Sequence, residues 1–203
     1  MGKKYELTEE TKEFYGRTLH RIKALKNFGD VEVGDLGGYI ESESNLMQEG
    51  CAWVYGNAMV CGNAMVFDNA KVCDNAEVYA NAWVYDNAKV CGNADVYGNA
   101  WVYGNAKVCG NADVYGNAWV YGNADVCGDA EIKGKTDYIV FKNWWSSGRY
   151  FTWTHSNNMW KVGCFYGTGK ELVEKAYKDS ELSGREYERA VKYVESILAD
   201  EKK

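Results

Sequence analysis

From Ala52 to Ile132 the chain repeats one hexapeptide, Ala-x-Val-(Tyr/Cys)-(Gly/Asp)-Asn, fourteen times without an insertion or deletion. The variable second position cycles with a longer period of 18 residues. Lys71, Lys89 and Lys107 occupy one phase, Glu77, Asp95, Asp113 and Glu131 the next, and Trp83, Trp101 and Trp119 the third. A period of 6 nested in a period of 18 describes a solenoid in which every turn is built from three short strands, and it constrains the fold more than any other feature.

Side chains alternate across a strand, so the Ala and Val of each hexad share one face and point inward, while the residue between them and the Tyr or Cys that follows point outward. The inward set is nearly uniform, as a narrow prism of stacked methyl groups requires. The corner falls at Gly or Asp and then Asn. Asn tolerates the left-handed backbone region that a sharp corner demands, and the Gly before it relieves crowding. Asn amides stacked from coil to coil can form hydrogen-bonded ladders.

The pattern resembles the hexapeptide-repeat family, whose members form a left-handed parallel β-helix of triangular section. The resemblance spans about 85 residues. The left hand is what the resemblance implies, because parallel β crossovers are otherwise right-handed in about 98% of cases. At about 4.8 Å per coil, the hexads make four to five coils, roughly 22 Å of helix.

A solenoid leaves unpaired backbone at both ends and needs caps. The expected organisation is an N-terminal β cap with an irregular first coil over 1–51, the β-helix over 52–136, and a C-terminal α+β module over 137–203. Upstream, Thr18–Leu25 and Val31–Val33 read as strands and Gly34–Glu41 as a turn-rich entry. Asn45-Leu46 falls in the hexad phase, although Gln48 stands where an inward aliphatic belongs. Gly34–Glu41 with Asn45-Leu46 resembles the head of small hexapeptide-repeat proteins of bacteriophages and prophages. Downstream, Tyr138–Phe141, Arg149–Thr154 and Met159–Val162 read as three strands, followed by two helices that start at the capping boxes Thr168-x-x-Glu171 and Ser183-x-x-Glu186, a βββαα module.

Many members of the family are acyltransferases, which implies a histidine base and substrates bound near loops extruded from the coils. Here no hexad is interrupted, and the only histidines, His20 and His155, lie outside the repeat. His155 after Thr152-Trp153-Thr154 could serve as a base, but a lone histidine at a strand end is more often a surface residue. On these grounds no catalytic residue is expected. Gly163–Lys170 evokes a phosphate-binding loop but lacks the Walker glycine and hydroxyl positions, so it reads as a turn into a capped helix. Cys73, Cys91, Cys109 and Cys127 form an outward column; without a CxxC or a nearby histidine, no metal site is expected, and vertical disulfides or reactive thiols remain the alternatives to a plain surface column. No cofactor is expected.

A net charge of −6 argues against a groove that tracks phosphates along a nucleic acid. No apolar run reaches membrane-span length and the first 15 residues are polar, which gives a cytoplasmic expectation. Two outward faces stand as partner-binding candidates. The aromatic face carries Phe67, Trp83, Tyr85, Trp101, Tyr103, Trp119 and Tyr121, more apolar surface than a monomer ordinarily exposes. The acidic face carries Glu77, Tyr79, Asp95, Tyr97, Asp113, Tyr115 and Glu131 and could imitate a nucleic-acid backbone. Together these features lead to a non-enzymatic, phage-derived binding protein. The expectation is a homodimer that inhibits a host defence complex, of CRISPR type or another nuclease. A self-associating structural protein and a hexapeptide-repeat acyltransferase are the alternatives.

Overall fold

The computed structural model describes residues 2–201. The repeat forms a parallel β-solenoid of about five turns. Its fourteen two-residue strands, β4 (Trp53–Val54) through β17 (Glu131–Ile132), recur every six residues and stack into three sheets. Pairing is strictly in register: Lys71, Lys89, Lys107 and Asp125 align on one face, Glu77, Asp95, Asp113 and Glu131 on the second, and Trp83, Trp101 and Trp119 on the third. Every inward Ala and Val of the repeat is buried, as is Ile132, so the core is one continuous column.

The corners differ from the expectation in one respect. The left-handed residue is the one before Asn: Gly at most corners, and Asp68, Asp74, Ala80 and Asp86 at others, with φ between 57° and 63° for these four. Asn itself keeps an ordinary φ and faces outward, where its amide bonds the Asn one coil below. Three ladders result, from Asn57 to Asp129, from Asn63 to Asn117 and from Asn69 to Asn105, with links of 2.9–3.5 Å. Asp suits the left-handed site because its carboxylate takes a backbone N–H from the next coil, as Asp74 does from Gly92 at 2.9 Å.

The upper end is closed by a three-stranded extension of the acidic sheet, β1 (Tyr5–Phe14), β2 (Arg17–Ala24) and β3 (Leu36–Ile40). β3, read from sequence as turn, pairs in parallel with Met59–Val60. Its glycines are required by contact, since a Cβ on Gly38 would lie 2.5 Å from the Ala58 carbonyl oxygen. Val31 makes only an isolated bridge to Phe28 instead of a strand. Leu46 bridges Val66 in parallel, and Gln48, unsuited to the core, turns its amide oxygen to the Lys4 N–H at 2.7 Å. Lys4 and Tyr5 plug the opening: the Lys4 ammonium donates to Ala52 O at 2.9 Å, and the Tyr5 hydroxyl to Leu46 O at 2.6 Å. Burial pulls the Lys4 pKa down to about 8, with Cys51 opposing and Lys26 adding to the fall.

The lower end is closed by β18 (Tyr138–Lys142), β19 (Tyr150–Thr154), β20 (Met159–Val162) and β21 (Phe165–Gly167), an antiparallel sheet in chain order, with α1 (Gly169–Asp179) and α2 (Glu181–Asp200) packed on it. The short fourth strand was not anticipated. α1 starts at the expected Thr168–Glu171 capping box. α2 starts three residues earlier than expected, because Ser180 caps it and Ser183 lies inside the helix. Side-chain oxygens of this module meet the bare N–H groups of the last coil: Thr152 Oγ1 accepts from Asp125 N at 2.9 Å, Ser156 Oγ from Glu131 N at 2.8 Å, and Asp137 from Lys133 N at 2.7 Å. Among the described residues no helix is long and apolar enough to cross a membrane.

Candidate functional site

The residues singled out on the faces are brought together as columns. On the aromatic face Trp83, Trp101 and Trp119 stack with centroids 5.3 and 5.2 Å apart, and Phe67, Tyr85, Tyr103 and Tyr121 with centroids 4.9–5.4 Å apart. The rings lie parallel along the solenoid axis, so their faces cover one another and mainly their edges point outward. The Lys135 ammonium sits 3.2 Å from the Trp119 centroid and closes the lower end of the Trp stack. On the acidic face Tyr79, Tyr97 and Tyr115 stack in the same way, and Phe14 and Tyr15 of the N-terminal hairpin cover Tyr79. Burial first, and then the carboxylate one coil below, raises the pKa of Glu77, Asp95 and Asp113. These acids are half-buried, unlike the freely solvated phosphates of a nucleic-acid backbone.

The third face carries the cysteines. Cys109 and Cys127 form a disulfide across one coil. Cys73 and Cys91 remain thiols; their mutual hydrogen bond lowers the Cys91 pKa to about 7 and raises that of Cys73. Below this face, where the C-terminal sheet meets the last coils, three clefts adjoin. One of about 460 Å³ is lined by Asn105, Lys107, Asn123, Asp125, Arg149 and Tyr150. A second of about 460 Å³ lies toward the aromatic face, between Tyr121, Lys135, Tyr138 and Tyr150. The third, about 320 Å³, opens within the C-terminal module beside Arg149, Lys175 and Asp179. Asn105 and Asn123 frame the first cleft where their ladder stops. Lys107, Lys135, Arg149 and Lys175 outnumber Asp125 and Asp179, so the groove is cationic in an acidic chain. Burial raises the Asp125 pKa, with Lys161 and Lys107 opposing.

The two histidines differ in their surroundings. His20 places Nδ1 3.2 Å from the Thr8 carbonyl, inside the N-terminal sheet. His155, in the turn between β19 and β20, places Nε2 2.9 Å from a carboxylate oxygen of Glu201, with its ring edge-on to Trp153. In a neutral imidazole a carboxylate at Nε2 favours the tautomer with the proton there and the lone pair on Nδ1, an arrangement compatible with a base and an orienting partner. His155 lies five residue steps beyond Tyr150 of the groove, roughly 17 Å along the lower rim.

No family model matches the chain. Over 61 residues, 26% of this chain, it is 38% identical to a protein of Escherichia coli (strain K12) named "Uncharacterized acetyltransferase YdcK". The match covers 19% of that protein, so the chain spans about a fifth of its relative's length.

Over that segment the chain is similar to a protein named as an acetyltransferase. That finding overturns the expectation of a non-enzymatic, phage-derived inhibitor of a host defence complex: the similarity is to a bacterial protein with an enzymatic name. The coils carry no histidine, and His155, which reads from sequence as a surface residue of the cap, lies beside a carboxylate that the sequence does not point to. Glu201 gives no signal in the sequence, because a carboxylate at a charged C-terminal helix end looks solvated. Arg149 and Tyr150 were likewise read only as the start of a strand.

Proposed function

We propose that this chain is an acyltransferase that uses a coenzyme A thioester as acyl donor. The observation that carries the reading is the His155–Glu201 pair on a solenoid whose sequence is similar to a protein named as an acetyltransferase. The expectation of no catalytic residue gives way to His155 as base and Glu201 as its orienting partner.

In this reading Lys107, Arg149 and Lys135 hold the phosphates of the donor, and Tyr150 and Tyr121 offer ring surface to its adenine. The coenzyme's extended pantetheine arm carries the thioester along the rim toward His155. Nδ1 of His155 takes the proton from an acceptor hydroxyl or amine as that atom attacks the thioester carbonyl. The carbon–sulfur bond breaks as the tetrahedral intermediate collapses, and the proton passes from His155 to the departing thiolate. Glu201 stabilises the imidazolium between the two transfers.

The test is release of free coenzyme A thiol from acetyl-coenzyme A in the presence of a panel of amine and sugar hydroxyl acceptors. His155→Gln is expected to lower kcat about 10²- to 10⁴-fold, the ordinary contribution of a positioned base. Arg149→Ala is expected to raise KM for the donor at little change in kcat. No thiol release above the blank across the panel, together with no heat of coenzyme A binding, would overturn the proposal.

A further inference from the structure

On a solenoid, distance along the chain is a poor guide to which ligands meet. Cys73 and Cys91 are 18 residues apart, which on this fold is one coil, so a spacing that looks unlike any metal motif places them directly one above the other. Asp74, at the corner beside Cys73, completes a group whose two sulfurs and a carboxylate oxygen all lie within 4.8 Å of one another. We infer that Cys73, Asp74 and Cys91 form a binding site for a thiophilic divalent cation of the zinc and cadmium class.

The geometry suits such an ion. Two metal–sulfur bonds of about 2.3 Å span sulfur separations from about 3.8 Å at a tetrahedral angle to about 4.6 Å when linear. The two sulfurs already lie within 4.8 Å of each other, so bridging by one ion asks little of the side chains. The Asp74 carboxylate is already held by the Gly92 N–H at 2.9 Å, which fixes the group beside the two sulfurs with support from a second partner. Charge also balances: two thiolates and a carboxylate against the neighbouring Lys89 leave two negative charges for a divalent ion to neutralise. Three protein ligands leave one position open, so the site would bind its ion in exchange with solvent and would not be a closed structural centre. The column is bounded on both sides. Tyr55, half-buried and bonded to Asp30, stands one coil above Cys73, and the Cys109–Cys127 disulfide lies below Cys91. Tyr55 thus offers no sulfur above the pair, and the two sulfurs below it are already bonded to each other.

The experiment uses the full chain carrying Cys109→Ser and Cys127→Ser, so that reduction exposes no second pair, and titrates the reduced protein with Cd²⁺ while following thiolate-to-metal charge-transfer absorbance. One equivalent is expected to bind. Adding Cys91→Ser or Cys73→Ser should weaken binding at least tenfold, Asp74→Asn should weaken it several-fold, and Cys51→Ser with Cys164→Ser should leave it unchanged. Excess Mg²⁺ should not compete, and Zn²⁺ should. Circular dichroism of each variant controls for folding, since serine replaces an outward thiol. An absorbance change that survives loss of Cys73 and Cys91, or the absence of any change in the folded parent, would overturn the assignment.

Discussion

Gly110 stands in the left-handed region with φ 75°, and a Cβ placed on it would lie 2.7 Å from the Gly128 nitrogen, a backbone atom that cannot swing aside. Gly122 has a similar φ of 67° but nothing within 4 Å. Both should lose about 1 kcal/mol or more on substitution by Ala from backbone strain alone. Gly110→Ala should lose more and melt at a lower temperature than Gly122→Ala, because it also forces two corners apart; equal melting temperatures would contradict the stacking of the corners. The same reasoning shows what a single residue type conveys in sequence. Asn at every corner was legible as a ladder former, yet it was given the strained conformation that its predecessor holds. The two roles are separable only once the N–H of Asn is seen to be used by the coil below, as Asn75 N is by Gly92 O at 2.9 Å. Lys4 makes a second residue-level prediction. Its pKa falls from about 10.4 in the unfolded chain to about 8 in the fold, so between those values the unfolded chain binds more protons and stability rises with pH. Thiols and tyrosines titrate in the same window, so the measurement is the difference between wild type and Lys4→Met. The stability gap should grow in favour of the wild type from pH 8 to 10.5, by at most about 3 kcal/mol, and should be flat from pH 6 to 7.5.

Elements at the ends were harder to read than elements in the middle, and the reason is physical. A repeat strand is two residues long and is declared by its fixed inward Ala and Val, whereas β1 is a ten-residue strand of sequence YELTEETKEF with almost no apolar alternation. It exists because β2 offers it an edge, so its signal lies in another part of the chain. β3 reads as turn in sequence because of Gly37 and Gly38, which let the strand lie against the top coil. The C-terminal helices, with apolar stripes of their own, were found, and only the start of the second was misplaced. The lower cap works through hydroxyls: Thr152→Val keeps the shape but leaves the Asp125 N–H without its partner. That substitution should destabilise the cap by about 1–3 kcal/mol, and hydrogen exchange should quicken at Asp125 and its neighbours in the last coil while the upper coils stay protected. Uniform exchange along the solenoid would mean that the module does not act as a cap.

At the scale of the molecule, the prism, its three faces and its two caps were legible because they follow from a periodic pattern. The candidate site was not, because it is made where periodicity ends. His155 comes from a turn, Glu201 from the end of a helix, and the cationic groove from residues of the last coils and the first strands of the cap. Within the repeat, the conspicuous features are the aromatic and acidic columns. These prove to stack on themselves along much of their length, which is a reason for their regularity in its own right.

The strict 18-residue register has a further consequence. Every coil presents the same upper and lower surface, so the molecule is built from interchangeable units of length, like turns on a screw. Excision of residues 94–111 joins Asn93 to Ala112 and removes one full turn. The shortened chain should fold with both caps seated as before and be about 4.8 Å shorter, with Cys91 now standing where Cys109 stood above Cys127. Excision of 100–111 removes only two hexads. It keeps every inward residue inward but rotates everything above the cut by a third of a turn relative to what lies below, setting the acidic column above the lysine position and the aromatic column above the acids. The two deletions, compared by thermal melting, separate what the core tolerates from what the faces enforce: a change of length by whole turns leaves the thread intact, and a change by thirds strips it.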